Sequence, residues 1–167
     1  MAGTTEAAVK VLFLDVDGVL NSSDFFHRVR NTITKDRHVA TEHIDPEAVG
    51  RLSKIVDATG VKIVVSSVWR YSYRPAEIQK ILGHHGFNGL VIGATPRSTK
   101  SKARGQEIDA WLSESGLARK DPVERFVILD DDADMEPHMD RLVNTSWQSG
   151  LQDAQVKQAI KMLGRKK

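Results

Sequence analysis

The sequence predicts an α/β fold with a parallel five-stranded sheet covered by helices on both faces. Two observations carry this. Five short apolar runs lie along the chain: "VLFL" (11–14), "VKIVV" (61–65), "LVIG" (90–93), "RFVILD" (125–130) and "RLVNT" (141–145). Helical patterns separate most of them, and strands that alternate with helices imply a parallel sheet buried on both faces.

The helices are read from their ends and their apolar spacing. In "DPEAVGRLSKIVDATG", Asp45 is the N-cap, Pro46 sits in the first turn and Gly60 follows the end. Val49, Leu52, Ile55 and Val56 share one face of it. "RPAEIQKILGHHG" has Pro75 near its start and Gly86 near its stop. "RGQEIDAWLSESG" places Ile108, Trp111 and Leu112 on one side, and "LQDAQVKQAIKMLG" aligns Val156, Ile160 and Leu163. The least regular stretch, 22–43, holds Phe25, Phe26 and His27 with several charges. Phe25 and Phe26 are read as core residues. No repeat, low-complexity segment or linker interrupts the chain, so 1–167 is expected to be one domain with 22–43 as a flap or minimal cap.

Composition excludes several classes. The chain has no cysteine, hence no disulfide framework and no thiolate zinc site. No apolar run approaches a membrane span, and "MAGTTEAAVK" lacks the basic start and apolar core of a signal peptide. A soluble, intracellular, cytoplasmic protein without membrane contacts is therefore expected. The net charge of +2 is uninformative, but 97–105 holds four basic residues and no acid.

In a parallel α/β sheet, ligands bind beyond the carboxyl ends of the strands. Asp15 and Asp17 follow the first run, Ser66, Ser67, Trp69 and Arg70 the second, and Asp130, Asp131, Asp132 and Asp134 the fourth. The basic cluster follows the third. Asp15, Asp17 and Asp130 could form an oxygen-only pocket of the kind Mg²⁺ takes, and the metal would offset repulsion between the carboxylates. One carboxylate could attack phosphorus, and an acid two residues on could move the proton. Gly18 permits a sharp exit from the strand. The Ser66 hydroxyl and a cation of the basic cluster could hold phosphoryl oxygens. Arg70 either pairs with an acid or grips a substrate phosphate in a bidentate fork. Trp69 is read as core or as a base-stacking platform. The histidines (27, 38, 43, 84, 85 and 138) show no metal-ligand spacing beside the acids. Asn21 either bonds the turn or receives substrate.

"LFLDVDGVLN" resembles the first motif of the haloacid dehalogenase (HAD) superfamily, a strand followed by DxDG. "KIVVSS" resembles the second motif and "RFVILDDDADM" the fourth. "SSVWR", "RGQEIDAWL" and "FVILDDD" are similar to the HAD domains of Swiss-army-knife RNA-repair proteins and, more loosely, to the phosphatase half of polynucleotide kinase-phosphatases. This resemblance implies a HAD-like three-layer sandwich. It makes Asp15 the nucleophile and a Mg²⁺ ligand. Asp17 becomes the general acid/base and a ligand through its backbone carbonyl, Ser66 the phosphoryl binder, Asp130 a direct ligand and Asp131 its support. The third-motif cation is Arg104, with Lys102 or Lys100 as alternatives. Leu129 as the strand's last apolar residue selects Asp130 from the acid run. Ser67, Arg70, Lys100 and Lys102 are the expected substrate contacts.

The expected activity is Mg²⁺-dependent phosphomonoester hydrolysis through an aspartyl-phosphate, on nucleic-acid ends or nucleotides. A phosphatase for a small metabolite or phosphoprotein is one alternative, and a non-catalytic nucleic-acid-binding module the other. A receiver domain fits poorly, because "LVIGATPR" supplies no acid at the third strand. Too short for a full cap domain, 22–43 leaves an open site suited to a large substrate, and 97–104 could contact flanking phosphates.

Overall fold

Strand β1 (Val9–Leu14) lies at the centre of the sheet, with β2 (Lys62–Val65) and β3 (Val91–Ala94) on one side and β4 (Val123–Asp130) and β5 (Leu142–Asn144) on the other. The order is β3-β2-β1-β4-β5 and every pairing is parallel. The chain steps outward from β1 to β3 and then returns to β4, so the topological switch lies between β1 and β4. This computed structural model describes residues 8–97, 103–118 and 123–166.

The helices are α1 (Ser23–Val29), α2 (Pro46–Thr59), α3 (Pro75–His84), α4 (Arg104–Ala118) and α5 (Asp153–Leu163). Asp45 caps α2 by accepting the Glu47 N–H at 2.9 Å, and Gly60 ends it at φ 72°. Side chains alternate between the two faces of β1. Leu12 and Leu14 pack with Ile63, Val65, Val127 and Leu129 under α2, α3 and α5. Val11 and Phe13 pack with Val64 and Ile128 under Ile108 and Trp111 of α4. Three layers result, with Phe13 and Trp111 meeting edge to face at 5.2 Å between centroids. Full burial of each such side chain contributes roughly 1.5–3 kcal/mol, which fixes the central strands and hence their ends.

The structure adds order where the sequence reads as irregular. Residues 22–43 contain α1, capped by Ser22, and a 3₁₀ turn over Ala40–His43. Phe25 is buried in the core and Phe26 only half-buried. Among the described residues no helix is long and apolar enough to cross a membrane.

Candidate active site

Register alone brings three functional residues level. Leu14 sits opposite Val65 of β2 and Leu129 of β4. The next residue on each strand is Asp15, Ser66 and Asp130. Ladder bonds run one step further and hold them: Asp15 N–H donates to Leu129 O at 3.0 Å, and Ser66 N–H to Leu14 O at 2.8 Å. Past β4, Asn144 Nδ2 donates to the carbonyls of Asp130 (3.0 Å) and Asp131 (3.2 Å), fixing the turn. Asp15 and Ser66 are almost wholly buried, and Asp130 completely so.

Arg104, the first residue of α4, reaches this group from the opposite layer. Its Nη1 lies 3.3 Å from Asp15 Oδ1 and 3.6 Å from Asp130 Oδ2, and it donates to the Ser66 carbonyl. Gly105 makes that approach possible. A Cβ there would stand 2.3 Å from the Glu136 carbonyl oxygen and from the Met135 carbonyl carbon. Asp134 completes the docking by accepting the Arg104 backbone N–H at 3.2 Å.

The electrostatics explain what is missing. Burial, reinforced by the Asp15 charge, pushes the Asp130 carboxyl up to about 8. Burial also raises Asp15, although Arg104, the Val16 N–H and the Ser67 hydroxyl pull the other way. Asp131 is raised chiefly by burial and then by Asp132. Asp15, Asp130 and Asp131 each place an oxygen within 4.8 Å of the others. With all three ionised, Arg104 balances one of their charges, and among the described residues no other cation lies within ion-pair reach of them. Among the described residues, two buried side-chain oxygens have no hydrogen-bond partner, Asp130 Oδ2 and Ser66 Oγ. A hard divalent cation fits this set: it takes carboxylate oxygens, balances the residual charge and supplies the partner Asp130 lacks.

Asp17 stands apart from that cluster. Its carboxylate accepts Trp69 Nε1–H at 3.2 Å to either oxygen and Asn21 Nδ2–H at 2.9 Å. Buried Asn21 also accepts the Gly18 N–H at 3.0 Å and donates to the His43 carbonyl at 3.0 Å. It therefore ties the turn, the acid and the flap together. Gly18 is left-handed at φ 80°, and a Cβ on it would overlap Asp131 Oδ2 at 2.3 Å. Asp17 borders an open cavity of about 330 Å³ lined also by His38, His43, Trp69 and Tyr73. Burial, then the neighbouring His38, lowers the His43 pKa.

Not every expected contact lies in the site. Arg70 is committed internally: its side chain is 5% exposed and pairs with buried Glu107 at 2.7 Å. Its other donors reach the Ser67 carbonyl (2.6 Å), the Thr95 carbonyl (3.1 Å) and Tyr71 Oη (3.2 Å). The pairing with an acid describes it, and the phosphate fork does not. Ser67 is fully buried, its hydroxyl accepting the Trp69 N–H at 3.3 Å. Its place is in the wall that positions Asp15 and Trp69. Lys100 and Lys102 lie outside the described residues. His38 and His43 were missed because their proximity to Asp17 depends on how the flap returns, and Tyr73 because it lies past β2, beyond the turn that carries Trp69. For the two histidines the only sequence signal was the aromatic and histidine content of the segment after DxDG.

The chain belongs to the family described as the HAD domain in Swiss Army Knife RNA repair proteins, which matches it over residues 11–156. It is thus a HAD-superfamily domain of hydrolase type, with a cluster of three aspartates that could hold a metal ion. Comparison with curated proteins and with solved structures gave no match.

Proposed function

We propose that the protein is a Mg²⁺-dependent phosphomonoesterase that works through a phospho-Asp15 intermediate on phosphorylated nucleic-acid ends or nucleotides. The observation that carries this is the contrast between two aspartates two positions apart. Asp15 is buried beside Arg104 and Asp130, whereas Asp17 is held by neutral donors at the edge of an open cavity. One is placed to attack and the other to exchange a proton with what occupies the cavity.

In the first step an Asp15 oxygen attacks phosphorus. The bond from phosphorus to the ester oxygen breaks, and Asp17 gives its proton to that leaving oxygen. In the second step Asp17 takes a proton from a water whose oxygen attacks the same phosphorus. The bond to Asp15 breaks, inorganic phosphate leaves, and both aspartates return to their starting forms. Ser66 Oγ, without a hydrogen-bond partner among the described residues, is available to a phosphoryl oxygen. Arg104 keeps the nucleophile oriented and offsets charge as it builds. A divalent cation held by Asp15, Asp130 and Asp131 supplies further neutralisation of the phosphoryl oxygens when bound.

Purified protein should release phosphate from p-nitrophenyl phosphate and from 3′- or 5′-phosphorylated oligonucleotides with Mg²⁺, and stop in EDTA. Asp15→Asn should reduce release to background. Turnover by that variant at the wild-type rate refutes the mechanism. Tight, salt-sensitive oligonucleotide binding with no turnover on any substrate identifies a binding module instead.

A further inference from the structure

The cavity beside Asp17 differs chemically from the acidic cluster. Four of its lining residues carry unsaturated rings, His38, His43, Trp69 and Tyr73, and among the described residues its lining contains no lysine or arginine. A phosphate or carboxylate would find no cation among these described residues. A flat, neutral, unsaturated group would find rings on several sides. The volume of about 330 Å³ lies at the lower end for small-ligand pockets, enough for one ring system. Burial lowers the pKa of His43, which favours its neutral ring.

The rings also continue beyond the cavity. Tyr73 and Trp69 are 5.5 Å apart between centroids, Trp69 and His38 6.2 Å, His38 and His43 4.3 Å, His43 and Phe26 5.8 Å, and Phe26 and Trp147 6.1 Å. Trp147 ends this row 48% exposed. It is nonetheless anchored, because its carbonyl accepts the Ser23 N–H at 2.9 Å and Phe26 backs its ring. An anchored yet exposed indole at the end of a ring row is a stacking surface.

We propose, on the reading that Asp15 and Asp17 act as described above, that this ring row binds the bases of a single-stranded polynucleotide. The base of the phosphate-bearing nucleotide enters the cavity among His38, His43, Trp69 and Tyr73, and the adjacent base lies on Trp147. Because the leaving oxygen must come to Asp17, and Asp17 borders the cavity, the nucleoside attached to that oxygen is directed into it. Stacking is indifferent to base identity, so the site reads a strand end with little sequence preference.

Binding without turnover tests this. The full-length protein is titrated in EDTA with three fluorescently labelled ligands. These are a terminally phosphorylated dinucleotide, the same molecule with an abasic residue in place of the phosphate-bearing nucleotide, and one with the neighbouring nucleotide abasic. Losing the terminal base should weaken binding about tenfold, the order expected for one stacked base, and losing its neighbour by a similar factor. His38→Ala, at an exposed ring, should abolish most of the first difference, and Trp147→Ala the second. Tyr73→Leu, which keeps the site filled, repeats the first test should His38→Ala disturb the flap. Equal binding of all three ligands overturns the proposal, as does a base preference that survives all three substitutions. Phosphate release without base preference would sink this proposal alone. Base preference in a protein that turns over no phosphomonoester sinks the catalytic reading and leaves the ring row standing.

Discussion

Asp130→Asn should stabilise the metal-free protein at neutral pH while removing its response to Mg²⁺. In the folded chain burial and the Asp15 charge raise Asp130 from 3.8 to about 8. The folded state therefore holds a proton that the unfolded state releases, and stability declines as pH rises from about 4 to about 8. Roughly four units at 1.36 kcal/mol each set a ceiling of about 6 kcal/mol. Burial leads this shift and the coupled Asp15 charge adds to it, so about 3 kcal/mol, half the ceiling, serves as an order-of-magnitude value. Asparagine keeps an oxygen for the Asp132 N–H, which now donates to Asp130 Oδ1 at 2.9 Å, and carries no charge at any pH. In EDTA, variant and wild type should melt together near pH 4 and diverge toward pH 8. There the variant should melt about 6–12 °C higher, at 2–4 °C per kcal/mol for a chain of this size. Taking the difference between the two proteins cancels titrating groups remote from Asp130, such as His43, while Asp15, coupled to it, remains in the difference. Mg²⁺ should raise the wild-type melting temperature and leave the variant unmoved. A variant less stable than wild type at pH 8 in EDTA, or equal Mg²⁺ stabilisation of both, refutes the electrostatic account.

Other substitutions probe separate supports. Gly18→Ala forces a Cβ into Asp131 at a left-handed backbone. It should cost more than about 1 kcal/mol by thermal melting and weaken Mg²⁺ binding in a calorimetric titration. Arg70→Met removes the cation from buried Glu107 and should destabilise by about 3–5 kcal/mol in urea, with Arg70→Met/Glu107→Met recovering more than half. Trp69→Phe keeps an aromatic ring but withdraws the Nε1–H donor from Asp17. The turnover number on p-nitrophenyl phosphate should fall roughly tenfold with little change in melting temperature.

The sheet and the acidic cluster were legible because both follow from short-range rules. Apolar runs mark buried strands whatever their neighbours, and the residue after each run lands at the sheet edge once parallel pairing is assumed. Asp15, Ser66 and Asp130 were found this way, and α2 was bounded by Asp45 and Gly60 as read. Arg104 was one of three candidates, and among the described residues it reaches Asp15, helped by Gly105. A side chain at position 105 would hold the start of α4 off the loop after β4. What escaped depends on long-range closure. His43 meets Asn21 across 22 residues, and Trp69 meets Asp17 across 52. Neither pairing has a periodicity. Asn21, ambiguous in sequence between turn and substrate, proves to be the tie between turn, acid and flap.

The flap leaves and rejoins the body at nearly one point. The Asp45 N–H donates to Leu20 O at 2.7 Å, the Asn21 amide meets the His43 carbonyl, and Thr34 closes on Glu42 within the excursion. An insertion with its ends already clamped can change length at little entropic cost, about 0.6 kcal/mol per doubling. The scaffold is thus modular at this joint. Asp15, Ser66 and Asp130 sit at the ends of the sheet's strands, whereas His38, His43 and Phe26 belong to an exchangeable segment. A longer insert grafted between Asn21 and Asp45 could enclose a different leaving group while β1, β2 and β4 keep their register.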